Sequence, residues 1–378
     1  MRTTLQSEKG MALLMALGAI VIIGVLIGGV VFVTTQDYRI GGNTVRQARA
    51  AAAAELGLNR LAQDWNLANN QRQVGNPLVI SYTAPRGASA KVTVTRVSGV
   101  YFWAVSEGTA GALGSQATAR RRYGTFFRLD IPQMNFLGAI TTQGNTTING
   151  NVTVNGNDAP PASWTACGPN AANVAGAAIT PTTTATVNGS VTVDGSPPVL
   201  TTLAAGDTNT YFNYGSSNYQ SIAASANLTY AGNTQLTGVG PIVLGGVCQS
   251  SVIPDNWWEP THASPATPCE SYFPIIHALG DLKVTTGRGQ GILLVDGDLN
   301  IAGDFTFDGV VIVRRGLKMS GTGNKVSGAV MAASVDVNDN VAVVGNTSIL
   351  YSSCALVAAM SGSAYPKQAR QRGWVDVY

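Results

Sequence analysis

Six aspartates between positions 296 and 339 are the side chains whose type could support acid–base chemistry: Asp296, Asp298, Asp304, Asp308, Asp336 and Asp339. Cleaving a glycosidic bond needs two carboxyl groups facing each other across the sugar, about 5–9 Å apart. Asp296 and Asp298 would share a side in one extended strand, but Gly297 between them favours a turn. Each of the six has Gly or Asn within two positions, so turn chemistry alone accounts for them. Oxygen-rich corners would also suit calcium, yet the spacing matches neither an EF-hand nor the glycine-rich nonapeptide repeat. No P-loop, dinucleotide fingerprint or nucleophile elbow is present. The chain is expected not to be an enzyme and to carry no metal or cofactor.

The other reactive groups are four cysteines, Cys167, Cys248, Cys269 and Cys354. With no C-x-x-C, and His262 and His277 the only histidines, a zinc site is not expected. Outside the cytoplasm an even set reads as two disulfides, with three pairings open. Cys248 with Cys269 is the first expectation. It would staple the loop carrying Pro254, Trp257, Trp258, Pro260, Pro265 and Pro268. Cys167 with Cys354 would then close a long loop.

These residues sit in a chain of 378 with 11% charged side chains and a net charge of +3. That balance gives no nucleic-acid surface, and Arg120-Arg121-Arg122 reads as a solvated strand edge. From Phe273 onward four windows align: Phe273–Val284, Gly291–Ile301, Gly309–Met319 and Gly328–Val337. Each is an apolar strand, a turn and a short alternating strand, repeating every 18–19 residues. Such a period fits a β-solenoid, in which each strand pairs with its equivalent one turn on and like residues stack. Thr286-Gly-Arg-Gly, Ala302-Gly-Asp, Gly321-Thr-Gly-Asn and Asn338-Asp-Asn supply corners that tolerate left-handed backbone. Gly138–Gly156 and Thr186–Gly195 follow the same grammar. Residues 136–353 therefore read as a right-handed parallel β-helix with an insertion at 158–272, followed by a tail at 354–378. Tyr211, Tyr214, Tyr219, Trp257 and Trp258 of the insertion could be exposed contact residues, and packing of the insertion onto the solenoid is the favoured role. Parallel β-helices also carry pectate lyases and polygalacturonases, so a carbohydrate-active enzyme is a rival class. Ahead of the solenoid, Lys91–Val97, Val100–Glu107 and Gln116–Asp130 read as strands of a small antiparallel sheet at 77–131, the last with an interruption signal at Gly124.

The N-terminus fixes the compartment. Met11–Val33 holds no charged residue, and about 23 residues rise about 35 Å as a helix, enough to cross a bilayer. No small-x-small cleavage site follows it. Arg2 and Lys9 favour a cytoplasmic N-terminus, against Arg39, Arg46 and Arg49 on the other side. Thr44–Trp65 continues as an alanine-rich helix. Ala48–Ala54 offers a small-residue face on which neighbouring helices could approach closely, with Ala48, Ala50, Ala51, Ala54, Glu55 and Gly57 as its packing candidates.

Three short segments carry a resemblance. Lys9-Gly10-Met11-Ala12-Leu13-Leu14, Arg39-Ile40-Gly41-Gly42-Asn43 and Ala53-Ala54-Glu55-Leu56-Gly57-Leu58 resemble the type IV pilus assembly protein PilX N-terminal family, over residues 7–65. The resemblance implies a leader at 1–10 cut by a prepilin peptidase between Gly10 and Met11. It also implies an anchor and emergent helix at 11–65 that packs with other pilins or pseudopilins, and a small sheet on that helix. The fifth position after the junction is Met15, where major pilins carry Glu. The expected protein is mainly β with one long N-terminal α-helix: an inner-membrane, minor pilin-like component with an extracytoplasmic head for structural or adhesive contact with a surface ligand. A surface adhesin held by a signal anchor is the alternative.

Overall fold

The computed structural model describes residues 9–66, 69–70, 72–111, 118–162, 164, 167, 171–215, 217–249, 255–257, 272–332, 341–369 and 375–376. The chain divides into two compact units. One comprises Met1–Asp64, Val74–Phe127 and Gln368–Tyr378, the other Trp65–Gln73 and Arg128–Lys367.

The first unit is built on α1 (Lys9–Gln63), 55 residues long. It contains no proline, and alanine and leucine, the best helix formers, fill its second half. The antiparallel strands β1 (Pro77–Thr83), β2 (Ala88–Arg96) and β3 (Tyr101–Gly111) pair in register, with Ile80 opposite Val92 and Val92 opposite Ser106. β4 (Thr118–Asp130) follows β3 in the sheet order and runs unbroken through Gly124, where an interruption was expected. Val92 and Val94 are buried, whereas Val97 falls beyond β2 and is exposed.

The second unit is a stack of parallel strands, here termed the coil. Its chain order is β5 (Gly138–Thr142), β6 (Thr146–Asn155), β7 (Ala175–Ile179), β8 (Ala185–Asn188), β9 (Thr192–Asp194) and β10 (Val199–Thr201). Next come α2 (Thr208–Phe212), the hairpin β11 (Asn213–Tyr214) and β12 (Ser217–Asn218), and α3 (Tyr219–Ala223). A second series begins with β13 (Leu228–Tyr230), β14 (Thr234–Leu236) and the hairpin β15 (Val243–Leu244) and β16 (Val247–Cys248). It continues with β17 (Ile275–Ala278), β18 (Leu282–Val284), β19 (Gly287–Val295), β20 (Leu299–Ala302), β21 (Phe305–Val313), β22 (Leu317–Ser320), β23 (Thr322–Ala332) and β24 (Val341–Tyr351).

These strands stack in three parallel ladders. One holds β13, β17, the second halves of β19, β21 and β23, then β5, β7 and β10. Another holds β14, β18, β20, β22, β24, β6 and β8. The third joins the first halves of β19, β21 and β23 to the second halves of β24 and β6, then β9. Ile275 stacks with Ile292, Val310 and Ala329 in turn, offsets of 17, 18 and 19 residues that bracket the expected period. Gly291, Gly309 and Gly328 form one corner column with φ of 109°, 141° and 141°, a conformation that side chains with a Cβ rarely adopt.

Spatial order departs from chain order. The first series enters at β5 and winds away through β7 to β10. The chain then crosses the outside of the coil and restarts at the opposite end with β13. It winds back until β23 pairs with β5, Val330 opposite Ile140, and β24 pairs with β6, Val343 opposite Ile148. The stretch 158–272, expected as an insertion, thus supplies β7–β10 and β13–β14 as rungs. Strands of three to five residues, separated by long loops, hide the period there. The segment 354–378, expected as a tail, begins inside α4 (Ser353–Gly362) and holds β25 (Tyr365–Gln368) and β26 (Val375–Asp376). The small apolar residues of α4 let it lie on the glycine corner, where a Cβ on Gly309 would come 3.1 Å from that of Ala359.

Candidate functional site: the long helix and the carboxylates of the coil

α1 has two surfaces. From Leu13 to Val45 every residue is exposed, including Leu14 at 77% and Ile20 at 68%. Soluble monomers rarely expose so large a contiguous apolar surface. This stretch is long and apolar enough to cross a membrane. Two of its polar side chains, Thr34 and Thr35, donate to the carbonyls of Val30 (2.8 Å) and Val31 (2.7 Å), as suits a lipid environment in which free donors are costly. Gly10 lies within α1; the side chain of Met11 lies outside the described residues.

From Ala50 the helix has a covered face. Ala50, Ala53, Ala54, Gly57, Leu58 and Leu61 are buried. A Cβ on Gly57 would meet Ser106 Oγ at 2.5 Å and Ala90 Cβ at 2.8 Å, and one on Gly108 would meet the Ala50 carbonyl oxygen at 2.0 Å. The partner of this small-residue face is therefore the chain's own β2 and β3. This corrects the expectation that Ala50, Ala54 and Gly57 receive a neighbouring helix. Ala is equally suited to close packing on helix or sheet, and composition cannot separate the two. Ala48 and Glu55 are exposed and Ala51 is half-buried. A matching signal was present in β3, where Ala104, Ser106, Gly108 and Ala110 alternate on the side that faces the helix.

Among the described aspartates, Asp296, Asp298 and Asp308 are each engaged by neighbouring groups. Asp296 accepts hydrogen bonds from Tyr219 (2.9 Å) and Arg314 (3.4 Å) and lies 3.0 Å from His277 Nε2. The Arg314 guanidinium stacks over Phe212 and Tyr219. Burial, then the neighbouring Asp296 carboxylate, pushes the Tyr219 hydroxyl pKa well up. Asp281 accepts from the Asp298 amide (2.9 Å), and Asp298 accepts from the Gly316 amide (2.8 Å), each linking one rung to the next. Asp304 is exposed at a corner. Asp308 is buried in the column of Gln290 and Ser327. Burial pushes its carboxyl up to about 7, with Ser327 and Lys325 pulling the other way. Asp336 and Asp339 lie outside the described residues. Among the described residues no group of three or more His, Cys, Asp or Glu side chains could hold a metal ion.

Tyr211, Tyr214, Tyr219 and Trp257 are buried, and Trp258 lies outside the described residues. The three tyrosines pin the crossing segment to the coil. Along it Gly206 accepts from Gln143 (3.0 Å), Tyr214 from the Gln133 amide (3.3 Å) and Ile275 from the Asn227 amide (2.8 Å). Trp257 fills the coil beneath β13, donating to Tyr230 (2.7 Å) and packing edge-on against Phe305 and Phe307. Cys167 is joined to Cys354, with Cα atoms 5.7 Å apart. That bond ties the loop after β6 to α4. There Asp158 accepts from both the amide (2.7 Å) and hydroxyl (2.6 Å) of Ser353, a carboxylate placed where a helix N-terminus favours one. The expected Cys248–Cys269 pairing lies outside the described residues, since Cys269 is not among them.

No protein-family model matches the chain, and no curated protein matches it. Among solved structures, the competence-associated pilin ComZ from Thermus thermophilus aligns with 88% of this chain and 96% of its own, at 12% identity and a TM-score of 0.22. A score at that level does not establish a shared fold.

Proposed function

We propose that this chain is a membrane-anchored, minor pilin-like protein of a type IV pilus or related assembly, akin to the PilX N-terminal family. Its inner-membrane anchor carries a head that we read as a right-handed parallel β-helix, with a structural or adhesive task toward a surface ligand. One observation carries this reading: α1 is continuous, yet apolar and uncovered from Leu13 to Val33 and packed under an antiparallel sheet from Ala50 onward. A merely buried core helix would not expose its most apolar half. The Lys9-Gly10-Met11 junction adds the leader resemblance. Its partners are then the membrane, a prepilin peptidase, and other pilins or pseudopilins.

The test is the N-terminus of the full chain produced with a prepilin peptidase. Met11 is the expected first residue, and Gly10→Val should leave the leader attached. A wild-type product still beginning at Met1 would overturn the leader and leave a signal-anchored surface adhesin as the reading.

A further inference from the structure

Just beyond its apolar run, α1 carries Arg39, Arg46 and Arg49, which line one bay of about 550 Å³ with Tyr38, Gly42 and Gly111. At 100° per residue the three arginines and Gly42 fall within an arc of about 80°. Asp37 and Glu55, the carboxylates of α1, fall on the opposite side by the same count. Among the described residues none of the three guanidiniums is in an ion pair. Tyr38 is 83% exposed, an amphipathic ring of the kind that settles at a membrane interface.

Arg46 does not point away from the apolar run. It donates to Asn43 Oδ1 at 2.5 Å, and its Nη2 lies 4.0 Å from where a Cβ on Gly42 would sit. The side chain folds back by about one turn, into space that the missing Gly42 side chain leaves open. Gly42 lies four residues past Tyr38, about 6 Å along the axis. Each interfacial layer of a bilayer is about 5–7 Å deep. With Tyr38 at the interface, the guanidiniums of Arg39 and Arg46 stand at headgroup level, while Arg49, two turns above Gly42, adds field rather than contact.

We propose that this bay binds the phosphate of an anionic phospholipid in the leaflet on the head side of the membrane. The proposal rests on the anchor reading above. Guanidinium groups match phosphate oxygens in a planar, bidentate fashion, and unpaired arginines at headgroup level find anionic lipid the nearest counter-charge.

The test uses the full chain in nanodiscs with equal phosphatidylcholine and phosphatidylglycerol, released for native mass spectrometry to read the lipid retained. The wild type should retain phosphatidylglycerol over phosphatidylcholine, and Arg39→Gln with Arg46→Gln should lower that preference by about fivefold or more. Gly42→Leu keeps every charge but fills the bay, and should lower it too. Arg86→Gln, an exposed charge elsewhere in the same unit, should not. Equal retention of both lipids, or an unchanged double variant, overturns the site. Displacement of the lipid by millimolar inorganic phosphate would make it a free-phosphate site instead. Arginine-dependent cross-linking between copies in neutral discs would hand the bay to a carboxylate of a second copy, and also overturns it. Carbonate extraction separates the two readings: a chain that stays in the membrane without lipid preference refutes only this inference, whereas one that washes out refutes the anchor as well.

Discussion

The contact between α1 and its sheet and the interior of the coil bury apolar surface in opposite ways. The first is made from the smallest residues: Ala50, Ala54 and Gly57 on the helix, Ala90, Ser106 and Gly108 on the strands. Backbones approach so closely there that no further atom fits. The second is filled by Ile, Leu, Val and Phe, with Phe305 and Phe307 stacked 6.1 Å apart and fully buried. Its glycines Gly291, Gly309 and Gly328 form a column of positive φ beside that interior. One region is limited by distance and the other by volume, so adding atoms should damage the first and removing them the second.

The largest effect should come from Gly108→Val. Its Cβ would lie 2.0 Å from a backbone oxygen and 2.5 Å from a backbone nitrogen of α1, and neither can swing aside as a side-chain tip could. A loss of about 4 kcal/mol or more is expected, read as early unfolding of the first unit in a denaturant titration while the coil's transition holds. Retention of both transitions would show that the helix can lift from the sheet. Phe307→Ala should do the converse, costing the coil about 3–4 kcal/mol through a cavity between Phe305 and Trp257 and sparing the first unit.

A smaller effect sharpens the contrast, since among the described residues the coil buries a carboxyl in this way, Asp308. Asp308 has its pKa raised from 3.8 to about 7. A raised acid binds its proton more tightly when folded, so its contribution is fully present below the unfolded value and fades as pH rises through about 7. The coil should lose about 2 kcal/mol between pH 5 and 7 on this account, and Asp308→Asn should remove that slope. Parallel curves for wild type and variant would mean that the carboxylate is better solvated than its burial implies.

These regions were not equally legible in the sequence. The windows from Phe273 to Met319 showed themselves because their strands are buried on both faces and recur at nearly constant spacing, so stacked Ile, Leu and Val read as repeated apolar runs. The same coil was obscured between 158 and 272. Rungs such as Thr192–Asp194 and Leu228–Tyr230 are three residues long, and nothing in a local pattern says that β5 meets β23 across nearly two hundred residues. The long apolar run of α1 was legible from composition alone. The alanine face was legible as a packing surface but not as to its partner, because Ala50 and Gly57 announce close approach without naming the element that approaches. Only the alternation of Ala104, Ser106, Gly108 and Ala110 held that answer. The role of Asp158 at the head of α4 was invisible, since its acceptors' partner, Ser353, lies far along the chain.

The coil's first rung and its last sit side by side at its waist, clasped by Cys167, Cys354 and Asp158. The rungs in which the series begins and ends are therefore fastened to each other, away from β10 and β13 at the two ends of that ladder. A lineage could lengthen or shorten either tip by whole windings, as one adds beads to a string held in the middle, and never disturb the fastening.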